Sequence, residues 1–304
     1  MGTPDFAVSS LSAIVEAGFE VVGVVTAPDK PAGRGLKVQE SAVKIYAVAH
    51  QLPVLQPEKL KDPAFLETLR QLRADLQVVV AFRMLPEVVW NMPRFGTINL
   101  HGSLLPKYRG AAPINWAVIN GEKETGVTTF KLQHAIDTGN ILLQSSFAID
   151  EHETAGDVHD RMKIIGAKLL VETLQGIAAN TIREQPQPPA ENTPHAPKIF
   201  TETCRINWNE NINTVFNLIR GLSPYPTAFT FLEGKTLKIF RAEKEAADPS
   251  LQTGGNNPGA YLTDNKTFLK FAAIDGFINV LDLQLEGKKK MTVTEFLRGY
   301  HFNT

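Results

Sequence analysis

Cysteine is almost absent: Cys204 is the only one in 304 residues. No disulfide and no cysteine-based zinc site can form within one chain, which suits a reducing compartment. Long apolar runs are missing too. Nothing approaches the roughly 20 consecutive apolar residues that span a bilayer, and no basic, apolar, small-residue signal opens the chain. A cytoplasmic protein with no membrane partner is therefore expected. Charge of one sign is also lacking: 31 Lys and Arg stand against 32 Asp and Glu, a net charge of -1. That balance excludes a surface that is a nucleic-acid footprint throughout, while leaving room for a local basic patch. His, Asp and Glu nowhere fall at metal-ligand spacing, so no metal is expected. No internal repeat is visible.

What is present is a chain long enough for a substantial core, in one large domain or two of ordinary size. Met1-Gly-Thr-Pro-Asp-Phe reads as a loop entering a helix, with Val8, Leu11, Ile14 and Val15 at helical spacing and Gly18 as its stop. A parallel α/β domain normally places a strand ahead of such a loop, and its absence predicts a chain that begins late, at an internal methionine. Glu20 to Thr26 is a β-branched run and predicts a buried strand. Further strands are predicted at Leu76 to Phe82, Thr97 to Leu100, Gly126 to Leu132 and Ile141 to Ile149. Helices are predicted at Ser41 to His50, Asp62 to Arg73, after Met84, and at Pro113 to Ile119. Thr154 and Asp157 form a capping-box-like start for a long amphipathic helix carrying Val158, Met162, Ile165 and Leu169 on one stripe. This alternation predicts an α/β fold, a Rossmann-like, mostly parallel sheet with flanking helices.

From Ile182 to Lys198 the composition turns to Gln, Glu, Asn and proline, with almost nothing to bury, and predicts a stiff, extended linker. Beyond it one helix carries Ile212, Val215, Phe216 and Ile219. The rest is strand-like: Ala228 to Leu232, Thr236 to Arg241, Ala260 to Leu262, Phe268 to Ala272 and Phe277 to Gln284. Glu233-Gly234-Lys235 marks a hairpin turn. The pattern predicts a small C-terminal β-barrel of the oligonucleotide-binding type. The expected domains are 1–181, a linker at 182–202, and 203–304.

Two stretches carry chemistry. Between Ala27 and Lys37 lie two prolines, two glycines and the cations Lys30, Arg34 and Lys37. Such a stretch is either a surface loop with solvated charges or a basic finger that touches phosphate. Gly33-Arg-Gly35 is no dinucleotide fingerprint, since the third glycine and the helix pattern are missing. The central stretch runs from Thr97 to Asp137. Strand alternation puts Asn99 and His101 on one face, displayed where the strand ends at Gly102, with Leu100 turned to the core. Ligands of open α/β sheets collect at such carboxyl ends. A carboxamide and an imidazole there can stabilise a developing oxyanion and move a proton. Asp137, before Thr138-Gly139, can orient that imidazole or raise its pKa. Taken singly, an Asn-x-His pair at a strand end is more often structural, and Asp-Thr-Gly is usually just a turn. An aspartic protease needs two such turns, and Ser103 lacks the following glycine of a nucleophile elbow.

In order, Asn99-Leu-His101-Gly-Ser-Leu-Leu-Pro106, Arg109-Gly-Ala-Ala-Pro113, Thr125-Gly-Val-Thr and Asp137-Thr-Gly139 resemble the 10-formyltetrahydrofolate-dependent formyltransferases. Within that family the likeness is to members that act on methionyl-tRNA, and it covers essentially the whole chain. The resemblance implies that Asn99, His101 and Asp137 are the catalytic triplet. It also implies that Ser103, Leu104, Leu105 and Pro106 lie beside the folate. Lys30, Arg34 and Lys37 would then meet the acceptor stem, and the C-terminal barrel would hold tRNA backbone. The implied formyl donor is 10-formyltetrahydrofolate, and the implied acceptor is initiator methionyl-tRNA, bound by a monomer. Family members normally begin with a strand before the opening loop. Arg83 and Met84 depart from the family, standing in a shortened segment that commonly reads Tyr-Gly before Leu-Pro. Ala135 replaces a usual glycine. The nearest alternative is a formyltransferase of the same fold acting on a small amine such as glycinamide ribonucleotide. It explains the triplet but not the linker and barrel. A non-enzymatic RNA-binding protein would leave the triplet without a purpose.

Overall fold

β-Branched runs alternating with amphipathic helices build the first of two units, Met1–Pro113 with Thr125–Phe147 and His159–His195. The computed structural model describes residues 1–32, 37–189, 191–246 and 257–302. Next to the N-terminal Met1, Gly2 donates its N–H to Val25 O at 3.0 Å. Helix α1 (Asp5–Glu16) follows and ends at Gly18, whose φ of +78° suits a residue without Cβ. The strand predicted at Glu20 to Thr26 is corrected to β1 (Val24–Val25), because its neighbour β4 (Val54–Leu55) pairs with those two residues alone, in parallel. The basic loop is a hairpin at its base: β2 (Lys30–Ala32) and β3 (Lys37–Gln39) pair antiparallel.

Helix α2 (Ala42–Ala49) is capped by Ser41, whose hydroxyl accepts from Lys44 N at 3.1 Å. Helix α3 (Pro63–Gln71) is capped by Asp62. Strand β5 (Gln77–Val80), short helix α4 (Glu87–Trp90) and strand β6 (Thr97–His101) then lead to β7 (Arg109–Gly110) and α5 (Pro113–Ile119). Strands β8 (Glu124–Lys131) and β9 (Ile141–Ala148) complete a sheet of order β5-β6-β8-β9. β5 and β6 run parallel and β6 and β8 antiparallel. Helix α6 (Ala155–Ala178) begins at the expected box: Asp157 N donates to Thr154 Oγ1 at 3.2 Å and Thr154 N to Asp157 Oδ2 at 2.9 Å. Val158, Met162, Leu169, Leu170 and Leu174 on it are buried. Its Gly166 lets Leu100 approach so closely that a Cβ would lie 2.9 Å from Leu100 Cδ2. That contact fixes Leu100 on the core face of β6.

The predicted linker does not hang free. Gln185 and Ile141 exchange backbone hydrogen bonds of 2.9 and 2.8 Å. Glu184 accepts from Asn140 and Lys131 at 3.0 and 2.6 Å. Its polar side chains and backbone do by hydrogen bonding what its composition cannot do by burial, and the segment lies as a strap along the first unit, reaching β10 (His195–Ala196).

The second unit comprises Ile114–Glu124, Ala148–Val158 and Ala196–Thr304. Helix α7 (Ile212–Leu222), capped by Asn211, buries Val215, Phe216, Ile219 and Leu222. They join one cluster with Leu237, Ile239, Leu269, Phe271, Ile278 and Leu283. Leu237 and Ile239 come from β12 (Lys235–Ala246), Leu269 and Phe271 from β14 (Leu269–Ala272), and Ile278 and Leu283 from β15 (Gly276–Leu285); with β11 (Ala228–Leu232) and β13 (Tyr261–Thr263) these strands form an antiparallel series of order β11-β12-β15-β14-β13. Irregular register between Ile239 and Ala242 bends β12, curling the sheet into a half-barrel. The turn at Glu233-Gly234 has φ of +49° and +79°, as a two-residue hairpin requires. Near the C-terminus, β16 (Met291–Thr292), paired with β15, and α8 (Val293–Gly299), opened by a Thr292/Glu295 capping box, had no sequence forecast. Arg220 is buried, with Nη1 donating to Glu153 O and Asp150 O at 3.0 and 3.3 Å. Among the described residues no helix is long and apolar enough to cross a membrane.

Candidate active site

The site is built at the carboxyl end of β6, within the first unit. Register sets Asn99 opposite Phe130 and His101 opposite Thr128. Alternation puts Asn99 and His101 on the face away from Ile98 and Leu100, which are buried. Phe130 stands edge-on to the His101 ring, with centroids 6.4 Å apart. Among the described residues, the Asn99 carboxamide makes no hydrogen bond within the protein.

His101 Nε2 lies 2.9 Å from the carbonyl oxygen of Tyr108. A carbonyl only accepts, so Nε2 carries the proton and Nδ1 is the nitrogen left for chemistry. Nδ1 faces Asp137 Oδ2 at 3.8 Å, within reach of charge attraction and beyond a direct hydrogen bond. The same Oδ2 accepts from Gly110 N at 2.9 Å. Two backbone positions under this arrangement are left-handed: Tyr108 at φ +59° and Asp137 at φ +54°. Gly139 closes the turn where no other residue fits, since a Cβ would stand 1.6 Å from Lys131 O.

The segment from Ser103 to Pro106 is tied mainly to its own neighbourhood. Ser103 is fully buried and donates its hydroxyl to Lys107 O at 2.7 Å. Leu105 N donates to Thr128 Oγ1 at 3.1 Å, and Leu105 O accepts from Gln144 Nε2 at 3.0 Å. Leu104 and Pro106 are only partly buried. Of the basic residues, Lys30 is exposed on β2 and Lys37 stands on β3, while Arg34 lies outside the described residues. Asp29, just before the hairpin, is held below the usual carboxylate range by hydrogen bonds from Lys44 and Gln56. Arg83 is spent on the loop after β4, donating to Glu58 O at 2.8 Å and to Pro57 O. Among the described residues no group of three or more His, Cys, Asp or Glu is placed to hold a metal ion.

Three participants had no role in the sequence reading: the Tyr108 carbonyl, the Gly110 amide and Gln187. A backbone group carries no residue signature, and Gln187 sits in a polar, proline-rich run that reads as spacer.

Residues 1–174 match the family model described as Formyl transferase, and residues 198–301 match the Formyl transferase C-terminal domain. These matches define a formyl transferase. The chain is 55% identical over 309 residues to a methionyl-tRNA formyltransferase of Bacteroides fragilis, covering 99% of this chain and 94% of the relative. To that of Flavobacterium johnsoniae it is 49% identical over 307 residues, covering 100% and 96%. The chain belongs to the methionyl-tRNA formyltransferase family. Solved structures share the fold at lower identity. WlaRD, a sugar 3N-formyl transferase crystallised with dTDP and 5-N-formyl-THF, is 21% identical at a TM-score of 0.67, covering 95% of this chain and 97% of that one. HypX from Aquifex aeolicus in complex with tetrahydrofolic acid is 20% identical at 0.60, covering 84% and 45%.

Proposed function

We propose that this chain moves the formyl group of 10-formyltetrahydrofolate onto the α-amino group of initiator methionyl-tRNA, with Asn99, His101 and Asp137 as the working residues. The observation that carries this reading is the facing of His101 Nδ1 and Asp137 Oδ2 at 3.8 Å where β6 ends. Family membership supports a methionyl-tRNA acceptor and a folate donor. The residues fit the donor: a carboxamide without a protein partner, an imidazole nitrogen and a carboxylate lie around one strand end, and Leu104 and Pro106 offer partly exposed apolar surface. When bound, the folate supplies the formyl carbon.

The chain's own residues then divide the work. Free α-amino groups titrate near pH ~8 and an adjacent ester lowers this further, so neutral amine exists at pH ~7 without a strong base. Negative charge develops on the formyl oxygen as the amine attacks, and Asn99 donates to it. His101, with Nε2–H committed to Tyr108 O, directs a proton on Nδ1 to the same oxygen. Asp137 balances the imidazolium charge and organises the proton that the departing nitrogen takes, directly or through water. Residues 1–181 supply the catalytic domain, 182–202 the linker, and 203–304 the tRNA-holding domain of a cytoplasmic monomer. Lys30, Arg34 and Lys37 meet acceptor-stem phosphates.

A radiolabelled formyl-transfer assay offering methionyl-tRNA and glycinamide ribonucleotide side by side tests the reading. Label on methionyl-tRNA alone is expected, and label on the ribonucleotide alone refutes it.

A further inference from the structure

The Asp137 turn is held by a residue that the mechanism above does not use. Gln187 Nε2 donates to Asp137 O at 2.9 Å and to Gly139 O at 2.8 Å. Its Oε1 accepts from Arg109, with Nε at 3.1 Å. The amide orientation is dictated rather than chosen: a guanidinium only donates, so the atom facing Arg109 is oxygen, and the nitrogen must face the two carbonyls. Arg109 in turn lies next to Gly110, whose amide holds the Asp137 carboxylate. The two ends of Asp137, main-chain carbonyl and side-chain Oδ2, are therefore fastened through neighbouring groups of one network.

This network opposes a specific strain. Asp137 sits at φ +54°, a sparsely populated region that a residue with a Cβ keeps only where its surroundings over-determine it. Gly139 has no freedom to relax toward Lys131. Two hydrogen bonds to the carbonyls on either side of Thr138 hold the turn in that form. The strap that carries Gln187 also holds the other left-handed position, since Tyr108 N donates to Pro194 O at 2.6 Å. The Tyr108 carbonyl is the one that fixes the His101 tautomer.

We infer that Gln187, oriented by Arg109, is a positioning residue for formyl transfer: it holds the Asp137–Gly139 turn so that the Asp137 carboxylate faces His101 Nδ1. The inference rests on the site assignment under Proposed function.

The test measures steady-state formyl transfer and thermal unfolding for Gln187→Ala, Gln187→Glu, Asp137→Asn and the double variant Gln187→Ala with Asp137→Asn. Gln187→Glu keeps a partner for Arg109 while losing both donors, so it separates positioning from simple loss of the strap. Both Gln187 variants are expected to lower kcat about 10- to 100-fold, as misplacement of a working group does. KM for methionyl-tRNA and folate should stay within about 2-fold and Tm should hold in Gln187→Glu. In the Asp137→Asn background, Gln187→Ala is expected to cost less than about 2-fold, because residues acting as one unit are not additive. Full turnover in Gln187→Ala, or a loss that multiplies undiminished with Asp137→Asn, overturns the inference and leaves the site assignment standing. Near-normal turnover in Asp137→Asn overturns the site assignment, and this inference with it.

Discussion

One hydrogen bond decides what His101 can do. Because Tyr108 O lies against Nε2, Nδ1 is the ring nitrogen left facing Asp137. His101→Ala and Asp137→Ala are each expected to lower kcat by about 10² to 10⁴ with little change in tRNA affinity, as single-turnover formylation and a binding assay would show. Gly139→Ala should be worse for the fold than either, since its Cβ would meet a backbone oxygen at 1.6 Å. A loss above about 3 kcal/mol is expected in denaturant unfolding. The shared face of Asn99 and His101 was legible because strand alternation and a terminal glycine specify which side chains a strand end displays, whereas Asp137 stood out only by its Asp-Thr-Gly turn and the family resemblance. Tyr108 and Gln187 were not legible: one acts through a carbonyl that every residue owns, the other bonds a turn about 50 residues upstream, beyond any local pattern. In the second unit, burial and the Glu233 carboxylate push the Tyr300 hydroxyl up to about 12. A phenol whose folded pKa is raised holds its proton in the folded state after the unfolded state has lost it. Stability is thus complete below about pH 10 and falls between about pH 10 and 12. Tyr300→Phe should flatten that alkaline limb of a denaturation series.

At the scale of elements, pattern succeeded where an element's own residues are enough to specify it. Strand β11 and helix α5 have the predicted bounds, and the Thr154/Asp157 box starts its helix as read. It failed where neighbours decide. The apolar run from Glu20 is a strand only where β4 pairs with it, and the basic loop becomes a hairpin because Lys30 meets Gln39 and Ala32 meets Lys37 across it. Strand β6 is the element on which the site depends. Leu100→Ala on its buried face should cost about 2 to 5 kcal/mol, seen as a lowered urea midpoint. Because Leu100 anchors β6 against Gly166 of α6, that loss should bring a fall in kcat larger than surface variants of equal stability show.

At the scale of the molecule, near-neutral net charge means that tRNA affinity must come from local cations. Arg34→Ala should therefore reduce the slope of log K against log salt by about 1, read from filter binding across a salt series. The two units are discontinuous in sequence, since Ile114–Glu124 and Ala148–Val158 belong with residues beyond 196. A fragment starting at 203 would leave the buried Arg220 guanidinium without the Asp150 and Glu153 carbonyls, and should unfold without a cooperative transition in calorimetry. The same discontinuity sets a timetable for synthesis. Asn115 Nδ2 finds its acceptor, Gly221 O, 106 residues later. A ribosome adding about 5 to 20 residues per second needs roughly 5 to 20 s to deliver it. For that interval α5 emerges with its partner surface still untranslated, and a chaperone that shields nascent apolar segments has its clearest opportunity there.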